Sequence, residues 1–470
     1  MPNRSHWFWT SFAIILLTAL GLRLQKLTLI SLTNDEVAEV TWAAMPFGAM
    51  LDRVAVDMVH PPLDYVVQFA LGRLGAPEWV RRLPSVLFGV ATVALAIFLG
   101  RAWWGPLAGL LSGFFLAIAP LHIRFSQEIR PYSMALFFTA AAIAALEMYA
   151  RRRRFAWAIV WFLAVFLAGF SFYFAGMTAG VVSLARIFID RKETLANLWH
   201  RLPVIIAGWA ALYAAWVPVA IRAVRNAPGF TPDILDWPWW RLRLQAFGAG
   251  DIGENVTDLG TWAFWCAVVI GIVLSVRVRS LRLAVVWLAG CGAIEIIALH
   301  YRPHYSAVRH LMPAWLGAFI LAGAGVAFLL RRAATAPIGA TIAIVFSAYS
   351  GLTIAHYYRA GRPDWRHVAV FVHERMRPGD TIIVTNDWVE RNLGYYWERM
   401  PRVPDTRAER FAISSTPRQG PIWIVSGQCT PRDNLKRIGI VRQFLVTDIA
   451  EVRYVRPGQT VDVSEELCPE

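Results

Sequence analysis

Long apolar runs alternate along this chain with short polar stretches rich in arginine. Each run is near the ~20 residues that a helix needs to cross the hydrocarbon core of a bilayer. The first covers Phe8 to Leu22. Others follow at approximately 83–100, 105–121, 131–150, 155–174, 175–189, 203–223, 261–278, 281–300, 311–330 and 335–356, which predicts about eleven transmembrane helices. Only Gly176 punctuates the junction of the fifth and sixth runs. Residues 25–80 form a loop in which Asp35 to Met45 has helical character and Leu63 to Leu74 is amphipathic, as in short helices lying on a membrane surface. After His356 the pattern changes. Thr381 to Thr385, Ile422 to Val425 and Phe444 to Thr447 read as short buried strands, while Val368 to Met376 and Val389 to Arg399 have helical spacing. The expected fold class is mostly α: a polytopic membrane domain over 1–356 and a small α/β domain over 357–470.

Composition agrees. The 470 residues are 57% hydrophobic and only 17% charged, and mean hydropathy is +0.46, which excludes an ordinary soluble protein. A net charge of +14 on a soluble chain would raise the question of nucleic acid, but no basic stretch interleaved with surface aromatics is present. The arginines, above all Arg151 to Arg154, instead fall between alternate spans, which predicts a cytoplasmic N-terminus. An odd number of spans then puts residues 357–470 outside. Of 17 Asp and Glu before residue 357, thirteen fall in predicted external loops, marking that face as the working one. The first run has no small-residue cleavage site and reads as a retained anchor. Cys266 and Cys291 read as small core residues, whereas Cys429 and Cys468 could pair in an oxidising compartment. An arginine-rich, lysine-poor chain of this kind suits a bacterial cytoplasmic membrane.

Polar chemistry interrupts the apolar pattern in a few places. Asp35-Glu36 follows the first span, with Glu39 one turn later. The pair reads either as two solvated loop acids or as a general base held against an apolar wall. His60-Pro61-Pro62 is either a helix-start signal or a device that aims an imidazole. Ser126-Gln127-Glu128-Ile129-Arg130-Pro131-Tyr132, with His122 and Arg124 before it, crowds charge at an outer interface, where an arginine needs Glu128 or an anionic substrate as partner. Tyr301-Arg302-Pro303-His304-Tyr305 and Arg309-His310 form a second basic cluster, either a phosphate site or a headgroup anchor. Glu295, inside a span, should be buried or paired. Asn255-Val256-Thr257 fits a glycosylation acceptor, and Trp237, Trp239 and Trp240 fit an interfacial belt. No Cys/His spacing or full ligand set suggests a metal, so no required metal or other cofactor is predicted, and a divalent cation stays open without support from the residues.

Taken in order, Asn34-Asp35-Glu36, His60-Pro61-Pro62-Leu63-Asp64-Tyr65, Arg82-Leu83-Pro84-Ser85, Pro120 to Arg130, Arg309-His310-Leu311-Met312-Pro313 and Pro363-Asp364-Trp365-Arg366 resemble the GT-C glycosyltransferases. The resemblance is to the branch of protein O-mannosyltransferases and aminoarabinose transferases. It implies an inverting enzyme that moves a sugar from a polyprenyl-phosphate carrier to an acceptor at the outer face. It implies Asp35 as catalytic base with Glu36 beside it, Arg130, Arg309 and His310 around the phosphate, and His60, Glu128 and Tyr132 lining the same cavity. Membrane lipids are expected partners, and nucleic acid is not. The resemblance leaves the acceptor open: protein, lipid or polysaccharide. The competing class is a transporter or lipid flippase without transferase activity, which should show related halves and charges near the bilayer midplane. Here the charges gather at one face.

Overall fold

The computed structural model describes residues 3–57, 60–192, 195–225, 237–248, 250, 258–301, 308–360, 364–377, 380–384 and 387–400, and the strand segments 418–419, 421–426, 442–446, 451–455 and 460–461. Cα packing divides the chain into two compact units. The first takes Met1–Leu27 and Trp42–His356; the second takes Thr28–Thr41 and Tyr357–Glu470. The expected division at His356 therefore meets one difference, since the stretch carrying Asp35 packs with the C-terminal part of the chain.

The first unit is helical. Helix α1 (Asn3–Leu24) opens it, and α2 (Asn34–Ala43) runs into it from the second unit. Then come α3 (Phe47–Asp57), α4 (Leu63–Arg73), α5 (Glu78–Trp104), α6 (Pro106–Ala117), α7 (Pro120–Phe125), α8 (Tyr132–Arg152), α9 (Phe155–Ser171) and α10 (Tyr173–Ile189). The series continues with α11 (Ala196–His200), α12 (Leu202–Tyr213), α13 (Val217–Arg225), α14 (Trp237–Phe247), α15 (Asp258–Ser275), α16 (Arg282–Tyr301), α17 (Met312–Leu330) and α18 (Ala336–Ala360).

Six of these, α1, α5, α8, α15, α17 and α18, are long and apolar enough to cross a membrane. Every expected span has a helical counterpart, but chain breaks shorten several. Pro120 follows the end of α6, Phe172 takes an extended conformation (φ −158°) between α9 and α10, and turns at Ala214 to Trp216 part α12 from α13. Among the described residues, six helices pass by length and composition and α6, α9, α10 and α12 are shorter apolar helices, against the eleven spans expected.

Helix α17 is the axis of the bundle. Its apolar residues run all round the cylinder, which suits a helix enclosed by others, and 89% of its most apolar window is buried, against 22% for α1 and α18. It packs on α6, α15 and α16 through glycines. A methyl group added at Gly317 would lie 2.8 Å from the Ala284 carbonyl oxygen, and one at Gly325 would overlap that of Ala267. Small residues at such crossings let helix backbones approach in lipid, where no hydrophobic force joins helices. Trp262, Val269 and Val273 of α15 and Ile338, Ile344 and Leu352 of α18 are exposed, as lipid-facing residues are. Cys266 shares that exposed side of α15, which corrects the expectation of a core residue: the helical period puts Phe264, Ala267, Val268 and Gly271 inward instead. Cys291 is buried as expected.

At one end of the bundle, arginines close helix C-termini. Arg151 Nη2 donates to the carbonyl of Ala102, Arg331 Nη2 to that of Trp104, Arg279 Nη2 to that of Ile189 and Arg282 Nη2 to that of Val276. Each supplies a cation and a donor where the last carbonyls of a helix lack partners.

The second unit is α/β. Its helices are α19 (Trp365–Arg375) and α20 (Asp387–Trp397), and its strands are β1 (Thr381–Val384), β2 (Arg418–Gln419), β3 (Ile422–Ser426), β4 (Arg442–Val446), β5 (Glu451–Val455) and β6 (Thr460–Val461). The main sheet has the order β1-β3-β5-β4. β1 and β3 are parallel, with Ile383 opposite Ile424, and α20 lies in the connection that parallel pairing requires. The other two pairings are antiparallel. Val368, Ala369 and Val372 of α19 and Ile383 and Val384 of β1 are buried in this unit. The three expected strands appear within two residues of their limits; β2, β5 and β6 are additional.

Candidate active site

Tyr132 opens α8 and is the hub of an aromatic and cationic cluster in the first unit. Its hydroxyl lies 3.3 Å from His60 Nε2, and the two rings meet edge to face. The guanidinium of Arg130 stands 5.8 Å from the centre of the Tyr132 ring and that of Arg309 6.0 Å, so two cations from distant segments approach one aromatic ring. Phe172 packs on Tyr132, His60 and His310, and Phe174 stacks on His310. Tyr132, His60, Arg130 and His310 are buried, and Arg309 is half-buried.

Helix termini explain the convergence. His60 precedes α4, Phe172 caps the start of α10, Tyr132 is the first residue of α8, and Arg309 and His310 lie in the turn that leads into α17. Four helices thus begin at the cluster. Their positive dipole ends add to the two guanidinium charges, a setting that favours an anion.

Burial, with Arg130, His310 and Arg309 close by, holds the His60 imidazole well below its ordinary pKa. It is a neutral ring at neutral pH. Its Nδ1 is buried and has no hydrogen-bond partner among the described residues, an arrangement that suits a ligand atom better than a finished core. Glu128 is buried with an ion pair to Arg124, Nε to Oε1 at 3.2 Å.

Much of the surrounding motif serves another purpose. Arg23, at the end of α1, is wholly buried and donates to the carbonyls of Ala19 (2.9 Å) and Ala117 (3.1 Å), to Ser126 Oγ (3.2 Å) and to His122 Nδ1 (2.6 Å). Gln127 Nε2 donates to the carbonyls of Arg23 (3.0 Å) and Gln25 (2.9 Å). His122, buried beside the Arg23 charge, is also held well below its ordinary pKa. His122, Ser126 and Gln127 therefore tie down the end of α1. The pattern of the chain gave no hint of Arg23 beyond its place directly after an apolar run. Phe172 and Phe174 were hidden too, as two more aromatics inside such a run.

In the second unit, Thr33 and Glu36 form a reciprocal cap on α2. Thr33 N–H donates to Glu36 Oε2 (2.9 Å) and Glu36 N–H to Thr33 Oγ1 (3.4 Å). Glu36 is fully buried, and Asp35 is half-buried in the same first turn. The two adjacent acids thus have different surroundings. Glu295 of α16 is paired with Arg243 of α14 at 3.4 Å, both side chains buried, as a carboxylate inside a span requires. Among the described residues no three His, Cys, Asp or Glu are grouped to hold a metal ion. Arg302, His304, Asn255, Cys429 and Cys468 lie outside the described residues, as do the side chains of Tyr301, Trp237 and Trp239. Trp240 is exposed.

Residues 44–231 match the family described as dolichyl-phosphate-mannose-protein mannosyltransferase. No curated protein matches the sequence. Among solved structures, the chain is similar to ArnT from Cupriavidus metallidurans bound to undecaprenyl phosphate, with TM-score 0.56 and 14% identity over 100% of both chains. It is also similar to the archaeal oligosaccharyltransferase AglB from Archaeoglobus fulgidus in complex with an inhibitory peptide and a dolichol-phosphate. That likeness has TM-score 0.56 and 11% identity, over 91% of this chain and 70% of the other. The family match covers residues 44–231, and over nearly its whole length the chain shares the membrane-embedded helical fold of these solved structures.

Proposed function

We propose that this protein transfers a sugar from a polyprenyl-phosphate donor to an acceptor hydroxyl at the outer face of a bacterial cytoplasmic membrane. The single observation that carries the reading is the cluster around Tyr132: two arginines and four helix N-termini about a neutral histidine with an open nitrogen. A phosphate group meets those donors and that charge. The structures of ArnT and AglB, bound to undecaprenyl phosphate and a dolichol-phosphate, support the same ligand class.

In the reaction, Asp35 takes the proton of the acceptor hydroxyl as its oxygen attacks the anomeric carbon. The bond from that carbon to the phosphate oxygen breaks and its electron pair leaves with polyprenyl phosphate, inverting the anomeric centre. Charge grows on the departing phosphate, and donors already in place stabilise it without reorganising. Arg130 and Arg309 supply charge there. His60 supplies a hydrogen bond from Nδ1–H while Nε2 accepts from the Tyr132 hydroxyl, and His310 lines the same pocket. Glu128 acts one step back, through Arg124. Glu36, engaged in the helix cap, orients its neighbour rather than taking the proton itself.

The direction of the helices supports an outer-face site. Helices α8, α10 and α17 start at the cluster and run about 25–30 Å, at 1.5 Å per residue, towards Arg151, Ile189 and Arg331. An arginine-rich end facing the cytoplasm accords with the positive-inside tendency, and this supports a cluster at the outer face.

The test uses the full chain in lipid nanodiscs. Undecaprenyl phosphate carrying radiolabelled mannose, glucose or arabinose serves as probe donor, and an envelope fraction as acceptor. At least one probe should pass its label to the acceptor and release undecaprenyl phosphate. Asp35→Asn should lower the rate by about 10²-fold or more, the scale of a lost general base, with undecaprenyl phosphate binding unchanged. A rate within a few-fold of wild type removes Asp35 as the base. Passage of the labelled lipid across vesicles without any transfer would establish the flippase reading instead.

A further inference from the structure

We propose that the C-terminal α/β unit positions the catalytic base, with Asp364 and Tyr396 acting through the backbone that leads to Asp35. The inference rests on the reading of Asp35 as the base.

The segment from Thr28 to Asn34 is stitched to α19 and α20 by side chains of that unit. Ser31 Oγ donates to Asp364 Oδ1 at 2.7 Å. The same Oδ1 accepts from His367 N–H at 3.0 Å, which makes Asp364 the N-cap of α19. Ser31 Oγ in turn accepts from Arg366 N–H at 3.2 Å, so a residue of the first loop helps to cap a helix more than 330 positions away. One residue on, Leu32 N–H donates to Tyr396 Oη at 2.8 Å. Arg391 Nη1 reaches Asn34 Oδ1 at 3.4 Å, and Arg366 Nη1 reaches the carbonyl of Thr28 at 3.5 Å with its guanidinium over the Tyr396 ring. Ser31, Leu32 and Tyr396 are buried.

From Leu32 to Asp35 the chain has three residues, at most about 10 Å. Thr33 inside that interval is locked to Glu36 by the reciprocal cap. No slack is left between the anchors and the base: the backbone of Asp35 goes where Asp364 and Tyr396 hold Ser31 and Leu32. The C-terminal unit thus contributes to the chemical step and is more than a platform for acceptors. A displacement of 1 Å at a reacting group can cost about 10²-fold in rate, so polar anchors distant from the reacting carbon acquire kinetic weight.

The experiment compares Asp364→Ala, Asp364→Asn, Tyr396→Phe and Asp35→Asn in full-length protein, with undecaprenyl phosphate as binding probe and the labelled donors above as substrates. Asp364→Ala and Tyr396→Phe should lower kcat by about tenfold or more while undecaprenyl phosphate binding stays within twofold. Asp364→Asn keeps an Oδ1 acceptor for Ser31 and His367 and should restore most of kcat. In an Asp35→Asn background, Asp364→Ala should lower the residual rate no further, because both act on one step. Wild-type kcat in both Asp364→Ala and Tyr396→Phe overturns the inference. So does an undiminished further loss in the Asp35→Asn background. A fully active Asp35→Asn is a different failure: it removes the base reading itself.

Discussion

His60 Nε2 and Tyr132 Oη lie 3.3 Å apart, in residues 72 positions distant, and this contact couples the imidazole tautomer to the direction of the hydroxyl. With the hydroxyl donating, Nε2 is the acceptor and Nδ1 carries the proton. A neutral His60 then carries one buried donor without a partner among the described residues, near Arg130 and Arg309. Removing only the hydroxyl, by Tyr132→Phe, keeps the ring under both guanidinium groups and releases the tautomer. Undecaprenyl phosphate affinity should fall by about threefold to tenfold, the value of one hydrogen bond of about 1 kcal/mol. Titration of the nanodisc-embedded protein measures it, and unchanged affinity would show that the hydroxyl plays no part.

Arg130→Ala should weaken donor binding more than acceptor binding, and Arg130→Lys should recover only part of the loss. A lysine restores the charge without the planar fork that matches phosphate. Steady-state KM values for each substrate decide it. A larger effect on the acceptor would move the phosphate site elsewhere.

Acid should destabilise the fold through its buried histidines. His60 and His122 are both held below their ordinary pKa by burial and neighbouring cations. Between the folded and unfolded pKa the unfolded chain binds more protons. The contribution is therefore complete above about pH 6.5, the unfolded value, and is lost as pH falls below it. The slope approaches about 1.4 kcal/mol per pH unit for each group. Melting temperatures at pH 7.5 and 5 should differ less for His60→Gln than for wild type. An equal drop in both would mean that His60 takes up no proton on unfolding.

Gly325→Leu should prevent the bundle from closing, because even a methyl group there overlaps the Ala267 carbonyl. Gly292, where a methyl group meets nothing within 4 Å, is the control. Loss of monodisperse protein in detergent for the first variant and not for the second is the expected result. Equal behaviour would contradict the tight crossing of α15 and α17.

Glu295→Ala should destabilise by about 3–5 kcal/mol, since it strips the carboxylate from a buried guanidinium. Replacing Arg243 and Glu295 together with leucines should recover much of that loss. Thermal unfolding of the three variants provides the comparison.

The limits of α17, the start of α2 and the parallel strands near Ile382 and Ile424 were legible because each depends on local pattern: unbroken apolarity, an acid-rich first turn, short β-rich runs between turn residues. The eleven apolar runs were equally legible, but apolarity does not report where Phe172 or Ala214 interrupts a helix, and among the described residues six helices are long and apolar enough to span. Among the candidate residues, Asp35 and Glu36 look equivalent as neighbours in sequence. The cap formed with Thr33 separates them, because a hydrogen bond between side chain and backbone depends on conformation that composition does not encode.

Sequence alone determined that this chain has helices apolar enough to enter a membrane, which of their ends bear cations, and where polar residues interrupt the apolar runs, since those follow from the free energy of placing each residue type in lipid. Only the tertiary structure decided that Arg130, Arg309 and His60 share one tyrosine, that Arg23 and His122 are braces, and that the segment bearing Asp35 belongs with the C-terminal sheet. These are contacts between residues tens to hundreds of positions apart, and they exist only once helix packing has closed the loops between them.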